Sequence, residues 1–105
     1  MKILALERPS PGAADRSVPP VLLRQEAAKV WELYRSNVVR EIYFRADRHE
    51  AVLILECRDE KEALAQLAQL PLVGAGLIEF EVIPLAPYPG FERLFERDQT
   101  RSIDL

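Results

Sequence analysis

A single cysteine, Cys57, excludes an internal disulfide and a cysteine-rich metal centre. His49, the one histidine, has no second histidine or cysteine at ligand spacing, so zinc and iron are not expected. The net charge is −3 and no basic block occurs, which removes the footprint that a nucleic-acid partner needs. Long apolar runs are missing too, whereas a membrane span needs roughly 20 apolar residues. The opening MKILALERPSPG meets charge too early for a secretory signal. There is no Gly-rich phosphate loop, no Ser-centred elbow and no internal repeat. These absences lead to the expectation of a cytoplasmic protein with no cofactor, no metal, no nucleic acid and no membrane.

What the chain does have is apolar content, at 49%, in 105 residues. That suits one domain, residues 1–105, burying about two-thirds of its unfolded surface. Residues 2 to 8, KILALER, alternate as a strand, with Leu4 and Leu6 on one side and Ile3, Ala5 and Glu7 on the other. A proline-rich loop follows over 9–20, long enough to cover a site or to be a plain connector. From Val21 to Asn37 the period turns helical. Leu23, Ala27, Val30, Trp31 and Tyr34 form one stripe, expected in the core, and Pro19–Pro20 suit the entrance.

Strands are expected over 38–46 and 51–57, joined by the turn DRHE. A second helix starts at Asp59, whose spacing from Glu62 is that of a capping box, and Pro71 ends it. Residues 77–85 alternate as a fourth strand, and residues 86–105 form a tail containing the amphipathic turn GFERLF. The order βαββαβ predicts an α+β, ferredoxin-like domain: a four-stranded antiparallel sheet with two helices on one face.

The helix-covered face should hold Ile42, Phe44, Leu53, Leu55, Ile78, Phe80 and Val82, with Cys57 as a small buried hydrophobe. The other face would carry Ile3, Glu7, Glu41, Tyr43, Arg45, Val52, Ile54, Glu56, Glu79, Glu81 and Ile83. Left bare, its aliphatic groups make a patch of the kind that marks an interface. Two copies packed face to face would close a barrel over it; a solvated open face is the plainer alternative. His49, in the turn, is expected at the surface.

A four-residue turn sets Ala46 against Ala51. Phe44 then opposes Leu53, Ile42 opposes Leu55, Arg45 opposes Val52, Tyr43 opposes Ile54, and Glu41 opposes Glu56. Opposed Cβ atoms lie about 5 Å apart, so one of two such carboxyls would keep its proton to higher pH. A split pair of that kind can do acid–base work or grip a cation. The alternative is two solvated glutamates at a sheet edge, met by Arg40 or Arg58.

Residues 39 to 72 resemble the muconolactone Δ-isomerases and related dimeric α/β-barrel proteins. The match is carried by QLPL, Gln69 to Leu72, and by Val39-Arg40-Glu41-Ile42-Tyr43, which stands where that family has Trp-Arg-His-Leu-Trp. Arg40 is kept, Tyr43 replaces an aromatic, and Glu41 departs from the family histidine. The resemblance implies a dimeric α/β barrel, self-association into a homodimer or larger ring, and a cofactor-free proton shift on a small lactone or enol acid.

Together these readings predict an isomerase-like protein with a small-molecule ligand. Glu41 and Glu56 would share acid–base duty, and Tyr43, Arg45, Ile54 and Glu79 would contact the substrate, Arg45 gripping an anionic group. The rivals are a non-catalytic binding module and a purely structural dimer.

Overall fold

The computed structural model describes residues 1–13 and 17–96. Its elements run β1 (Lys2–Pro9), α1 (Pro20–Arg35), β2 (Val39–Phe44), β3 (Ala51–Glu56), α2 (Glu60–Leu67), α3 (Pro71–Gly74) and β4 (Ile78–Pro84), then a 3-10 turn at Gly90–Leu94. The sheet is antiparallel in the order β2-β3-β1-β4, which is the ferredoxin-like arrangement. Residues 97–105 of the expected tail, and 14–16 of the expected loop, lie outside the described residues.

Local chemistry explains the boundaries. Pro20 opens α1, where a missing N–H costs nothing, and Asn37 ends the turn beyond it at φ 68°, a left-handed conformation that asparagine tolerates. Asp59 caps α2 by accepting the Glu62 N–H at 2.8 Å. The reciprocal bond of a capping box lands one residue early: Glu62 Oε1 accepts from the Arg58 N–H at 3.0 Å. Helix α2 stops at Leu67, and QLPL then builds a separate turn, with Leu70 buried before it and Pro71 at its first position.

The core lies between the sheet and the helices. Ile3, Ala5, Leu53, Leu55, Leu67 and Leu70 form its centre, joined by Cys57. Ile3 and Ala5 are 0% exposed, so the strand β1 side that carries them, and Glu7 with them, faces the helices. This corrects the expected placement of Ile3 and Glu7 on the helix-free face. Pairing decides it, because Ile3 aligns with Leu55 and Ala5 with Leu53, both core residues.

The β2–β3 register also differs from expectation. Ile42 opposes Leu53, Phe44 opposes Ala51, Tyr43 opposes Val52, and Glu41 opposes Ile54, two residues from the predicted alignment. The connection runs from Arg45 to Glu50 and is closed by the Arg45 N–H donating to the Glu50 carbonyl at 2.9 Å. A shift of two preserves the faces, since side chains alternate with period two, but it changes every partner. A bulge between Val39 and Glu41 then turns Val39 inward, where it is buried.

Candidate functional site

Helix α1 touches the sheet unevenly. Leu33, near its C-terminal end, is its only fully buried residue among those described. Toward its N-terminus the helix stands off, and a cleft of about 640 Å³ opens between α1, α3 and the sheet. Such a volume suits a small organic ligand. Trp31 and Tyr34, expected in the core, are 58% and 47% exposed and form the α1 wall, their rings stacked at 5.8 Å. Ile42 and Phe44, also expected in the core, face the helices from edge strand β2 but remain 44% and 59% exposed. The stripe was read correctly as one face; what it faces is an opening.

Among the described residues, three ionisable groups besides the Tyr34 phenol enter this apolar space: Glu7 from β1, Glu26 from α1 and His49 from the β2–β3 connection. Glu7 Oε1 accepts the Ala51 N–H at 3.0 Å, and Glu26 Oε1 accepts the Leu72 N–H at 2.9 Å. Each carboxyl therefore has one oxygen fixed by backbone. Burial pushes the Glu26 carboxyl above its usual range; the Leu72 N–H pulls it down, and the charge of Glu7 pushes it up again. The His49 ring stacks on Phe44 at 4.2 Å. Val18, at the end of the proline-rich loop, also lines the cleft.

The sequence did not bring these groups together: it set Glu7 on the helix-free face and His49 at the surface, and Glu26 was not singled out, although signals existed. Glu26 lies three residues after Leu23 and four before Val30, a carboxylate inside the apolar stripe. Glu7 shares its strand side with Ile3 and Ala5.

The residues expected to form the site lie elsewhere, on the helix-free face or its rim. Glu41 and Glu56 do not oppose one another. Glu41 accepts the Tyr43 hydroxyl at 2.8 Å, which holds that phenol protonated above its usual range. Glu56 accepts from the Met1 amino group at 2.5 Å, and that bond draws its carboxyl below the usual range. Arg45 lies beyond the end of β2 and makes a bidentate pair with Asp47, at 2.8 and 2.7 Å. Glu79 pairs with Arg8 at 3.3 Å, and Ile54 is half-buried beside Leu4 and Glu41. Among the described residues no group of three or more His, Cys, Asp or Glu side chains gathers at metal-binding distance. Nor is any helix there long and apolar enough to cross a membrane.

No protein-family profile and no curated protein matches the chain. Solved structures do. Muconolactone isomerase superposes with a TM-score of 0.64 at 17% identity, over 100% of both chains. The 5-chloro-2-hydroxyhydroquinone dehydrochlorinase of Burkholderia phenoliruptrix, solved with 2,5-dihydroxybenzoquinone, superposes with a TM-score of 0.55 at 18% identity, over 82% of this chain and 94% of that one. At such identities the likeness speaks for architecture, and on that ground the chain has the muconolactone isomerase fold.

Proposed function

We propose that the chain binds a small cyclic organic molecule in the α1–sheet cleft and shifts a proton on it without a cofactor. The observation that carries this reading is the meeting of Glu7 and Glu26 in one apolar cavity, with Glu26 biased toward its protonated form. A proton shift needs one group to accept and another to donate, and two carboxyls in unequal environments can divide those roles. Glu7 would take a proton from the substrate while Glu26 returns one at a second atom. The pair then resets by exchange with water at the open mouth, and no electrons change hands. The neighbours add support, one being by name an isomerase of a lactone and the other an enzyme solved with a dihydroxyquinone.

The helix-free face supports a second element of the proposal, self-association. Leu4, Leu6, Val52, Ile54 and Ile83 are only half-buried there, beside exposed Tyr43. Two copies packed through this face would cover the patch and give the barrel implied by the resemblance.

The test is proton exchange in deuterated water, with a β,γ-unsaturated five-membered lactone as probe. The wild-type chain should speed deuterium incorporation, and Glu26→Gln and Glu7→Gln should each lose about 10²-fold or more. Full rate in both variants contradicts the assignment. Tight binding with no exchange would make the protein a carrier. Loss of rate in Glu41→Gln or Glu56→Gln alone would move the chemistry into the barrel.

A further inference from the structure

Resting on the cleft reading above, we infer that the cleft selects a flat, uncharged ring bearing hydroxyl groups and rejects carboxylates. The walls argue for the ring. Trp31 and Tyr34 stack on one side, Phe44 with His49 on another, and Phe80 rises from the sheet. Aromatic faces in this arrangement favour a planar guest.

The polar groups argue for hydroxyls. Glu7 and Glu26 each commit one oxygen to a backbone N–H, and no hydrogen-bond partner is seen for the other oxygen among the described residues. A phenolic or enolic hydroxyl can donate to the free oxygen of Glu7 in a charge-assisted bond, stronger than a neutral one, and can accept the proton that Glu26 is biased to keep. A carboxylate ligand has no proton to give.

The charges argue against an anion. Among the described residues no lysine or arginine lines the cleft. Basic side chains of the nearby β2–β3 connection are engaged with acids: Arg45 with Asp47 at 2.7 Å and Arg48 with Glu50 at 3.4 Å. Lys29 of α1 meets Glu32 at 3.5 Å. A ligand carboxylate would be a third acid in one apolar space, and among the described residues no guanidinium lines it to receive that charge. The penalty should reach roughly 10- to 100-fold in affinity against a neutral ring of the same size. This runs opposite to the expectation that an arginine would grip an anionic substrate.

Hydroquinone and 4-hydroxybenzoate form the matched probe pair, one ring with a hydroxyl exchanged for a carboxylate. Because Trp31 is the sole tryptophan, its indole N–H resonance reports cleft occupancy in the intact chain. Hydroquinone should shift that resonance at a concentration at least tenfold below that needed for 4-hydroxybenzoate. In the Glu7→Gln, Glu26→Gln double variant the gap should close. Gln keeps an oxygen for each backbone N–H, and an unchanged amide spectrum elsewhere verifies folding. Equal or tighter binding of 4-hydroxybenzoate to the parent chain overturns the charge selection while leaving the cleft as the site. A Trp31 resonance that neither probe moves overturns both.

Discussion

Glu7, on a central strand, adds its charge to the burial that keeps Glu26, on α1, protonated above the usual carboxyl range. Folding alone brings the two into one cavity. The sign of the pH effect follows. The folded chain holds the Glu26 proton to higher pH than the unfolded chain, so this contribution to stability is present in acid and is lost as pH rises through the raised value. Glu26→Gln keeps an acceptor for the Leu72 N–H and removes the loss. Its melting temperature should exceed that of the parent at pH 7.5 and match it near pH 3.5. Solvent screening at a half-exposed group keeps the gain below about 1 kcal/mol, or roughly 5 °C in a chain of this size.

The cleft wall is functional surface more than core. Trp31 is more than half exposed, so Trp31→Ala should cost less than about 1 kcal/mol of stability in a denaturant titration. The same change should weaken binding of a planar ligand about tenfold. By contrast Leu55, buried at the sheet centre, should cost about 2–5 kcal/mol as Leu55→Ala, with little effect on the ligand affinity of the folded fraction.

Asp59 carries the start of α2 through its bond to the Glu62 N–H. Asp59→Ala should lower stability by about 1 kcal/mol, measured by chemical denaturation, while Asp59→Ser retains most of it.

If the helix-free face joins two copies, a charge at its centre should separate them. Ile54→Asp is expected to shift the sedimentation coefficient from dimer to monomer, with the far-ultraviolet circular dichroism unchanged. A monomeric parent chain contradicts the face-to-face barrel.

Much of the fold was legible because its signals are periodic. Alternation marked the strands, the three- and four-residue steps marked α1, and prolines marked the breaks. Faces survived even where register failed, since the β2–β3 alignment slipped by two, and two is the period of a strand. Partners did not survive, because the turn length that sets them is six residues here, from Arg45 to Glu50, and nothing in DRHE states it. The expected Glu41–Glu56 pair was lost that way.

The cleft was hidden for a different reason. Periodicity says which side chains share a face, and it is silent on whether a helix presses onto the sheet or stands off from it. Trp31, Tyr34, Ile42 and Phe44 have core composition and cleft exposure. Glu26 could have been noticed as a carboxylate inside an apolar stripe. Its tie to Leu72 could not, because α1 and QLPL meet only in three dimensions.

Amide chemical-shift mapping with hydroquinone tests the central claim most directly. The account predicts that the largest changes fall on the Leu72 and Ala51 N–H groups, which anchor Glu26 and Glu7, and on Trp31 and Phe44. Changes confined to Glu41, Tyr43, Ile54 and Glu79, with Leu72 and Ala51 unmoved, would contradict it and place the ligand on the opposite face of the sheet.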